Sequence, residues 1–246
     1  MKITFLGTSH GVPEKDRACQ SILIEAGDGA YLIDAGAPVA NLFVNMGFDL
    51  SKIKAIFLTH MHGDHANGLL GFLDLSVWYY LDLKYDIYFP ESEGITCFKN
   101  MVEMLNRGYK QFPEDRIGLK TVQEGLLYSD NNIRITAVAT KHIANIGRPA
   151  YGYIIEAEGK KLYISGDLSG ELIDYSDIAD REEIDMFVVE CAHFPVSRLL
   201  KKLKTTKAKQ VMIVHTWSGM IDVDAEGLKN MPFELNFPCD GEEYII

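Results

Sequence analysis

Three histidines and one aspartate lie within six positions of the segment LTHMHGDHANG, which spans residues 58–68. They are His60, His62, Asp64 and His65, in a chain that has only seven histidines. Imidazole nitrogens and carboxylate oxygens are the groups that bind Zn²⁺ at about 2.0–2.2 Å. Two histidines one residue apart at a turn can face one ion, and the following Asp-His pair can face a second. The spacing therefore predicts a metal site.

The alternative explanation of this cluster is a solvated polar loop whose histidines make ordinary hydrogen bonds. The position of the cluster argues against it, because it begins where a strand-like run, IKAIFLTH (53–60), ends. Further candidate residues also lie at or just after the C-terminal ends of predicted strands: His142, Asp167, His193 and His215. Strand ends are rigid and can lie close together, so we expect these side chains to share one site.

The elements that must position these residues are visible as apolar and β-branched runs bounded by turn residues. Strands are predicted at 2–7, 20–27, 30–36, 53–60, 133–142, 150–159, 160–167, 186–193 and 209–217, and helices at 38–48, 65–83 and 197–207. Two strand-rich halves with helices between them indicate packed sheets flanked by helices. Residues 84–131 are poorly patterned, and we interpret them as a possible helical insertion. Within them, residues 106–116 are typical of a surface loop, with a mobile lid as the alternative.

Composition indicates a water-soluble globular protein. The chain has 246 residues, of which 47% are hydrophobic, and it contains no apolar run long enough to predict a membrane span. The four cysteines are widely spaced, and the N-terminus lacks the features of a signal peptide, so we expect a cytoplasmic protein with free thiols. A net charge of −11 argues mildly against a general nucleic-acid binder, although metal-binding carboxylates contribute to that charge.

The motif THMHGDH resembles the signature of the metallo-β-lactamase superfamily. The segments ATKH (139–142), YISGD (163–167) and VMIVH (211–215) follow in that superfamily's order, so the resemblance runs from residue 3 to about 217. It implies an α/β fold: a four-layer αββα sandwich of two mixed sheets, formed by a single domain over residues 1–246.

The same resemblance implies a ligand set and two divalent metal ions. One ion would be bound by His60, His62 and His142, the other by Asp64, His65 and His215, and Asp167 would bridge the two. Zn²⁺ suits this histidine-rich set best, and Mn²⁺ or Fe²⁺ would be tolerated.

The opening segment FLGTSHGVPEKDRACQSILIE (5–25) resembles the ribonuclease Z branch, the endonucleases that process the 3′ ends of tRNA. Pro13, Lys15 and Arg17 match the PxKxRN loop of that branch, while Ala18 stands where asparagine is expected. Lys15 and Arg17 would hold a substrate phosphate, with solvated surface residues as the alternative. His10, in the loop after the first strand, is a further candidate for substrate contact.

A second part of this resemblance concerns the catalytic residues. VVECAHF (188–194) is similar to the HEATF-type segment of ribonuclease Z, with Glu190 in the acidic place. His193 would protonate a leaving oxygen or stabilise the transition state, or else would only support a ligand carboxylate through a hydrogen bond. Asp64 would also transfer a proton during phosphodiester cleavage.

Two departures from ribonuclease Z argue against tRNA as the substrate. Only 24 residues separate His142 from Asp167, which leaves no room for the tRNA-binding arm inserted there in that branch, and the HST loop expected after the HEATF-type segment is missing. We therefore predict a phosphodiesterase that acts on a small phosphodiester or a short nucleic acid by attack of a metal-bridging hydroxide. Hydrolysis of a lactone, thioester or other carbonyl ester is the alternative. A metal-binding sensor without activity and a homodimeric state also remain open.

Overall fold

Two seven-stranded mixed β-sheets form the centre of the molecule, whose computed structural model describes residues 1–106, 112–224, 228 and 231–246. The first sheet has the order β14-β1-β2-β3-β4-β5-β6 and the second the order β13-β12-β11-β10-β9-β8-β7. The strands are β1 (Lys2–Gly7), β2 (Ser21–Ala26), β3 (Gly29–Ile33), β4 (Ile53–Phe57), β5 (Tyr85–Phe89), β6 (Ile117–Thr121), β7 (Gly125–Ser129), β8 (Arg134–Thr140), β9 (Ala150–Ala157), β10 (Lys160–Ile164), β11 (Ile184–Cys191), β12 (Ala208–Thr216), β13 (Glu234–Asn236) and β14 (Glu243–Ile245).

Helices cover the outer face of each sheet. They are α1 (Val39–Asn45), α2 (Gly63–Ala66), α3 (Leu69–Trp78), α4 (Ser92–Leu105), α5 (Ile178–Arg181) and α6 (Val196–Leu203), with short 3₁₀ turns at Leu50–Lys52, Ala144–Ile146 and Ser218–Met220. Within the described ranges, none of these helices combines the length and the apolar character needed to cross a membrane.

Alternation of buried side chains along the strands builds three apolar layers. In β2, Ile22 and Ile24 pack between the two sheets, while Leu23 points the other way toward α1 and α3. In β11, Val188 packs between the sheets and Phe187 faces α5 and α6. Because successive strand residues point to opposite faces, strands that are buried on both faces become apolar over most of their length. This arrangement confirms the predicted αββα sandwich.

Residues 84–131 differ from the helical insertion considered for the sequence. They contribute β5 and β6 to the first sheet and β7 to the second, with α4 as their one helix among the described residues. Residues 107–111 of the predicted surface loop or lid lie outside the described residues.

The predicted helix over residues 65–83 is interrupted and shorter than expected. It is divided into α2 and α3 around Gly68, whose N–H donates to the carbonyl of Ala35 at 2.8 Å, and it ends at Trp78. A Cβ at position 68 would lie 2.7 Å from that same carbonyl oxygen, so the close approach of the two chains requires glycine.

Candidate metal centre

The ligand residues predicted from the sequence converge at one edge of the sandwich, from the ends of different strands. Their ligand atoms form two groups, and within each group all lie within 4.8 Å of one another. The first group is His60, His62, His142 and Asp167, and the second is Asp64, His65 and His215. These side chains are mostly buried, so little bulk water competes with them for an ion.

The first group has the spacing of ligands around a single ion. Nε2 of His60 lies 2.9 Å from Nδ1 of His62, and Nε2 of His142 lies 3.3 Å from the same nitrogen. Two nitrogens bound tetrahedrally to one Zn²⁺ lie about 3.3 Å apart, given Zn–N bonds of about 2.0–2.1 Å. An oxygen of Asp167 lies 3.6 Å from Nε2 of both His60 and His142.

The second group adjoins the first through Asp167. Oδ2 of Asp64 lies 3.3 Å from Nε2 of His65 and 3.6 Å from Nε2 of His215. Asp167 approaches the same two nitrogens, with Oδ1 at 3.5 Å from His65 and Oδ2 at 3.4 Å from His215. The carboxylate of Asp167 therefore contacts both groups, as a bridging ligand must.

Two buried atoms of this cluster show that the donor set fits a cation. Nε2 of His65 and Oδ1 of Asp167 are buried and have no hydrogen-bond partner among the described residues. A buried polar atom without a partner is costly, and a cation between the two groups would satisfy both atoms. The cluster thus fits a divalent metal site.

Hydrogen bonds from behind fix the orientation of His65. Its Nδ1 lies 2.8 Å from Oδ2 of Asp34, which is buried. The other oxygen of Asp34 accepts from the backbone N–H of Thr59 at 2.8 Å and from its hydroxyl at 3.0 Å. A carboxylate that accepts the Nδ1–H proton leaves the Nε2 lone pair free for a metal.

Backbone carbonyls orient two other imidazoles in the same way. Nδ1 of His142 lies 3.3 Å from the carbonyl oxygen of Leu168, and Nδ1 of His215 lies 2.9 Å from that of Ser9. A carbonyl only accepts, so each Nδ1 carries the proton and each Nε2 is left as the ligand atom.

The pKa values in the cluster reflect close packing of charges. Burial lowers the pKa of His60 well below its usual value, and the charge of His65 adds to this effect. Burial alone would lower the pKa of His65, but the carboxylates of Asp167 and Asp34 outweigh it and raise that pKa well above the usual value. Burial opposes ionisation of Asp167, yet His215 and His65 hold its pKa well below the usual range. Cations would replace protons here when they bind.

Glu190 and His193 lie against the first group. Nδ1 of His193 lies 3.0 Å from Oε1 of Glu190 and 3.9 Å from Oδ2 of Asp167. Glu190 is buried and also accepts from the backbone N–H groups of Leu168 at 3.0 Å and Ala192 at 2.6 Å. Glu190 therefore holds both His193 and the chain just after Asp167. The His193 side chain is one-third exposed, which leaves it accessible from the metal face.

The three residues predicted to contact substrate have different surroundings. The guanidinium of Arg17 donates to the carbonyl of Thr216 at 2.7 Å, to that of Thr8, and to Glu14, so its contacts lie within the protein. Lys15 is exposed on the same loop. The ring of His10 packs near that of Trp217, directly beside the strand end that carries His215.

Asp34 is the supporting residue that the sequence reasoning missed. It follows β3 directly, in the segment YLIDAG, and so has the same position after a strand as the ligand residues. This position directly after a strand is the sequence signal by which Asp34 could have been found. Its partner His65 is 31 residues away, so the contact itself depends on the folded chain.

Comparisons with known proteins identify the family to which this chain is related. A family model described as Anti-Pycsar protein Apyc1 matches residues 1–232. Ribonuclease BN of Proteus mirabilis is 32% identical over 170 residues, which are 68% of this chain and 53% of that protein. Ribonuclease Z of a Synechocystis species is 35% identical over 159 residues, 63% of this chain and 46% of that protein. The chain spans about half the length of these curated relatives.

Solved structures confirm the fold. Human tRNase Z, short form, has a TM-score of 0.75 and 20% identity, with 100% of this chain and 99% of that chain covered. The metallo-beta-lactamase fold protein YhfI from Bacillus subtilis has the same TM-score and identity, with 99% of each chain covered. Together with the relatives named as ribonucleases, these structures confirm the predicted resemblance to the ribonuclease Z branch of the metallo-β-lactamase superfamily.

Proposed function

This chain belongs to the family of the Anti-Pycsar protein Apyc1, in the metallo-β-lactamase superfamily, and we propose that it is a metal-dependent hydrolase that cleaves a phosphodiester bond. The observation that carries the proposal is the pair of adjoining ligand groups that share Asp167. Curated relatives are named as ribonucleases, which supports attack on phosphorus rather than on a carbonyl carbon.

We assign two divalent cations to this cluster, one to each ligand group, with Zn²⁺ as the expected ion and Mn²⁺ or Fe²⁺ as alternatives. Bound there, they would supply positive charge to a phosphodiester and would lower the pKa of a bound water. Asp167 would hold the two positions at a fixed separation, because its carboxylate contacts nitrogens of both groups.

The roles of the other residues follow from their contacts. Asp64 would accept or donate a proton as well as bind, since its carboxylate faces the second group. His193 would donate a proton to the leaving oxygen, because its ring borders the centre and is partly exposed. Glu190 would keep that ring in place and stabilise its charged form. Burial alone would lower the pKa of His193, but the hydrogen bond and the charge of Glu190 outweigh burial and raise it.

The surroundings of the site favour a substrate smaller than tRNA. Between His142 and Asp167 the chain forms a 3₁₀ turn and the tight β9–β10 hairpin, with no inserted arm in that fully described stretch. We therefore propose a small phosphodiester or a short nucleic acid as the substrate. Substrate contact by Lys15 and Arg17, cytoplasmic location and a homodimeric state stay predictions.

The test is hydrolysis of bis(p-nitrophenyl) phosphate by protein loaded separately with Zn²⁺ and Mn²⁺. We expect metal-dependent turnover that is lost in Asp167→Asn and kept in Asp82→Asn, which changes an exposed aspartate away from the site. Two bound ions per chain without turnover would contradict the phosphodiesterase proposal. Lactones and thioesters would then be tested, since other enzymes direct such metals at a carbonyl.

A further inference from the structure

Two aromatic side chains stand beside the metal centre without a role in it. We propose that Trp217 and His10 form an aromatic shelf that binds a planar ring of the substrate, such as a nucleobase attached to the scissile phosphate. This inference rests on the proposed phosphodiesterase function, and it assigns to these two residues the selection of substrates.

Both residues are tied to the ligand His215. Trp217 follows it by two positions, at the end of β12. His10 follows Ser9, whose carbonyl oxygen lies 2.9 Å from Nδ1 of His215. The two rings approach each other, with centroids 5.8 Å apart and planes tilted by 37°. His10, at one end of the shelf, is therefore the neighbour of the residue whose carbonyl orients the candidate ligand His215.

The shelf is open to solvent. Trp217 is 37% exposed and the His10 side chain is 25% exposed. A tryptophan left in water forgoes much of the free energy that its burial would contribute, and exposed aromatic surface beside a catalytic site is typical of ligand binding. Stacking on a planar ring would cover that surface while leaving the phosphate free to reach the metal ligands.

The ring of Trp217 lies against the turn that follows it. A Cβ at Gly219 would lie 2.1 Å from one ring carbon of Trp217 and 2.3 Å from the next, so glycine alone allows the ring to lie against the backbone there. An aromatic side chain that packs against backbone has fewer conformations to lose when a ligand stacks on it.

The loop that carries His10 is anchored at both ends. Asp240 accepts from the backbone N–H of Thr8 at 2.9 Å and from that of Ala18 at 2.5 Å. Arg17 joins the same loop to the β12 end through its hydrogen bond to the carbonyl of Thr216 at 2.7 Å. These bonds fix the two halves of the shelf relative to each other, which a selective binding surface requires.

The loops that follow His142 and Asp167 each expose a large apolar side chain. Ile146, four residues after His142, is 63% exposed, and Ile173, six residues after Asp167, is 68% exposed. An exposed apolar side chain in each of these loops suits an uncharged body beside the phosphate. The aromatic rings near His215 favour a planar ring over an alkyl chain, because the face of an aromatic side chain stacks on a flat ring.

The experiment compares two esters with the same leaving group: the p-nitrophenyl ester of thymidine monophosphate and methyl p-nitrophenyl phosphate. For Trp217→Ala we expect kcat/KM on the thymidine ester to fall by about 10- to 100-fold, the range of base–aromatic stacking lost on alanine substitution. The methyl ester should change by less than about threefold, and Trp217→Phe should retain most of the preference for thymidine. Trp78→Phe, at the end of α3, is the control.

Equal losses of kcat/KM on both esters in Trp217→Ala, or no loss on either, would overturn the shelf.

A second readout does not depend on turnover. Trp78 and Trp217 are the two tryptophans of the chain, so in the Trp78→Phe protein the fluorescence reports Trp217 alone. Thymidine monophosphate should quench it in a saturable way. If neither ester is hydrolysed, the phosphodiesterase proposal fails. The quenching experiment still tests the shelf in that case, and an absence of quenching would by itself overturn the shelf.

Discussion

Replacement of Asp34 by asparagine is expected to weaken metal binding without removing any ligand. Asp34 is buried, and one of its oxygens lies 2.8 Å from Nδ1 of His65 while the other accepts two hydrogen bonds from Thr59. If the asparagine amide oxygen keeps the bonds from Thr59, its NH₂ group faces Nδ1 of His65. A donor at that place favours the tautomer with the proton on Nε2, which is the ligand atom.

The magnitude follows from the role of such supporting contacts. Removing the outer hydrogen-bond partner of a ligand histidine costs about 10- to 100-fold in metal affinity, or about 1.4–2.7 kcal/mol. The assay is a chelator competition titration that resolves the two binding steps. We expect the step assigned to Asp64, His65 and His215 to weaken, and the step assigned to His60, His62 and His142 to change little. Asp82→Asn, the same change at an exposed aspartate away from the site, is the matched control. Equal affinities of Asp34→Asn and wild type in both steps would refute the reasoning.

Two further changes test the scaffold. Gly166→Ala should lower the free energy of unfolding by about 1–3 kcal/mol or more, because Gly166 has φ +60° and a Cβ there would lie 2.2 Å from the Tyr151 carbonyl oxygen. Gly159 has φ +73°, but a Cβ there would meet no atom within 4 Å. In thermal unfolding, Gly159→Ala should therefore show only the smaller cost of the backbone conformation. Asp130→Asn should cost about 0.5–1 kcal/mol at neutral pH, where the carboxylate accepts from the hydroxyl of Tyr31 at 2.6 Å. Burial opposes ionisation, yet this hydrogen bond and others lower the pKa of Asp130, so its contribution is present above the unfolded pKa of about 3.9 and is lost as the pH falls through the folded value. A wild-type–variant difference that stays constant from pH 7 to pH 2 in denaturant titrations would contradict this.

The convergence of the candidate ligand residues was predictable because the signal is local. Four of the seven candidates occupy six positions, and the other three lie at or near the C-terminal ends of predicted strands, so the sequence shows both residue type and position. The core strands were predictable for a related reason. Strands buried on both faces, such as β3 and residues 186–189 of β11, form unbroken apolar runs in the sequence.

What escaped prediction depends on partners distant in sequence. In β6, Ile117 is the only buried residue, and β7 has none, because both strands lie at sheet edges where few side chains need to be apolar. Arg17, for which substrate contact stays a prediction, also donates to the carbonyl of Thr216, which is 199 residues away in sequence. Loop composition cannot distinguish these two uses of a guanidinium group.

The central claim is that two ions, joined through Asp167, make the site active. Its most direct test measures turnover of bis(p-nitrophenyl) phosphate against the number of Zn²⁺ or Mn²⁺ ions bound per chain, determined on the same samples by mass spectrometry. We expect turnover to rise with metal and to reach its maximum at two ions in the wild type, and Asp167→Asn to bind fewer ions and stay inactive. Full turnover in the metal-free protein, or with two ions bound in Asp167→Asn, would contradict the account.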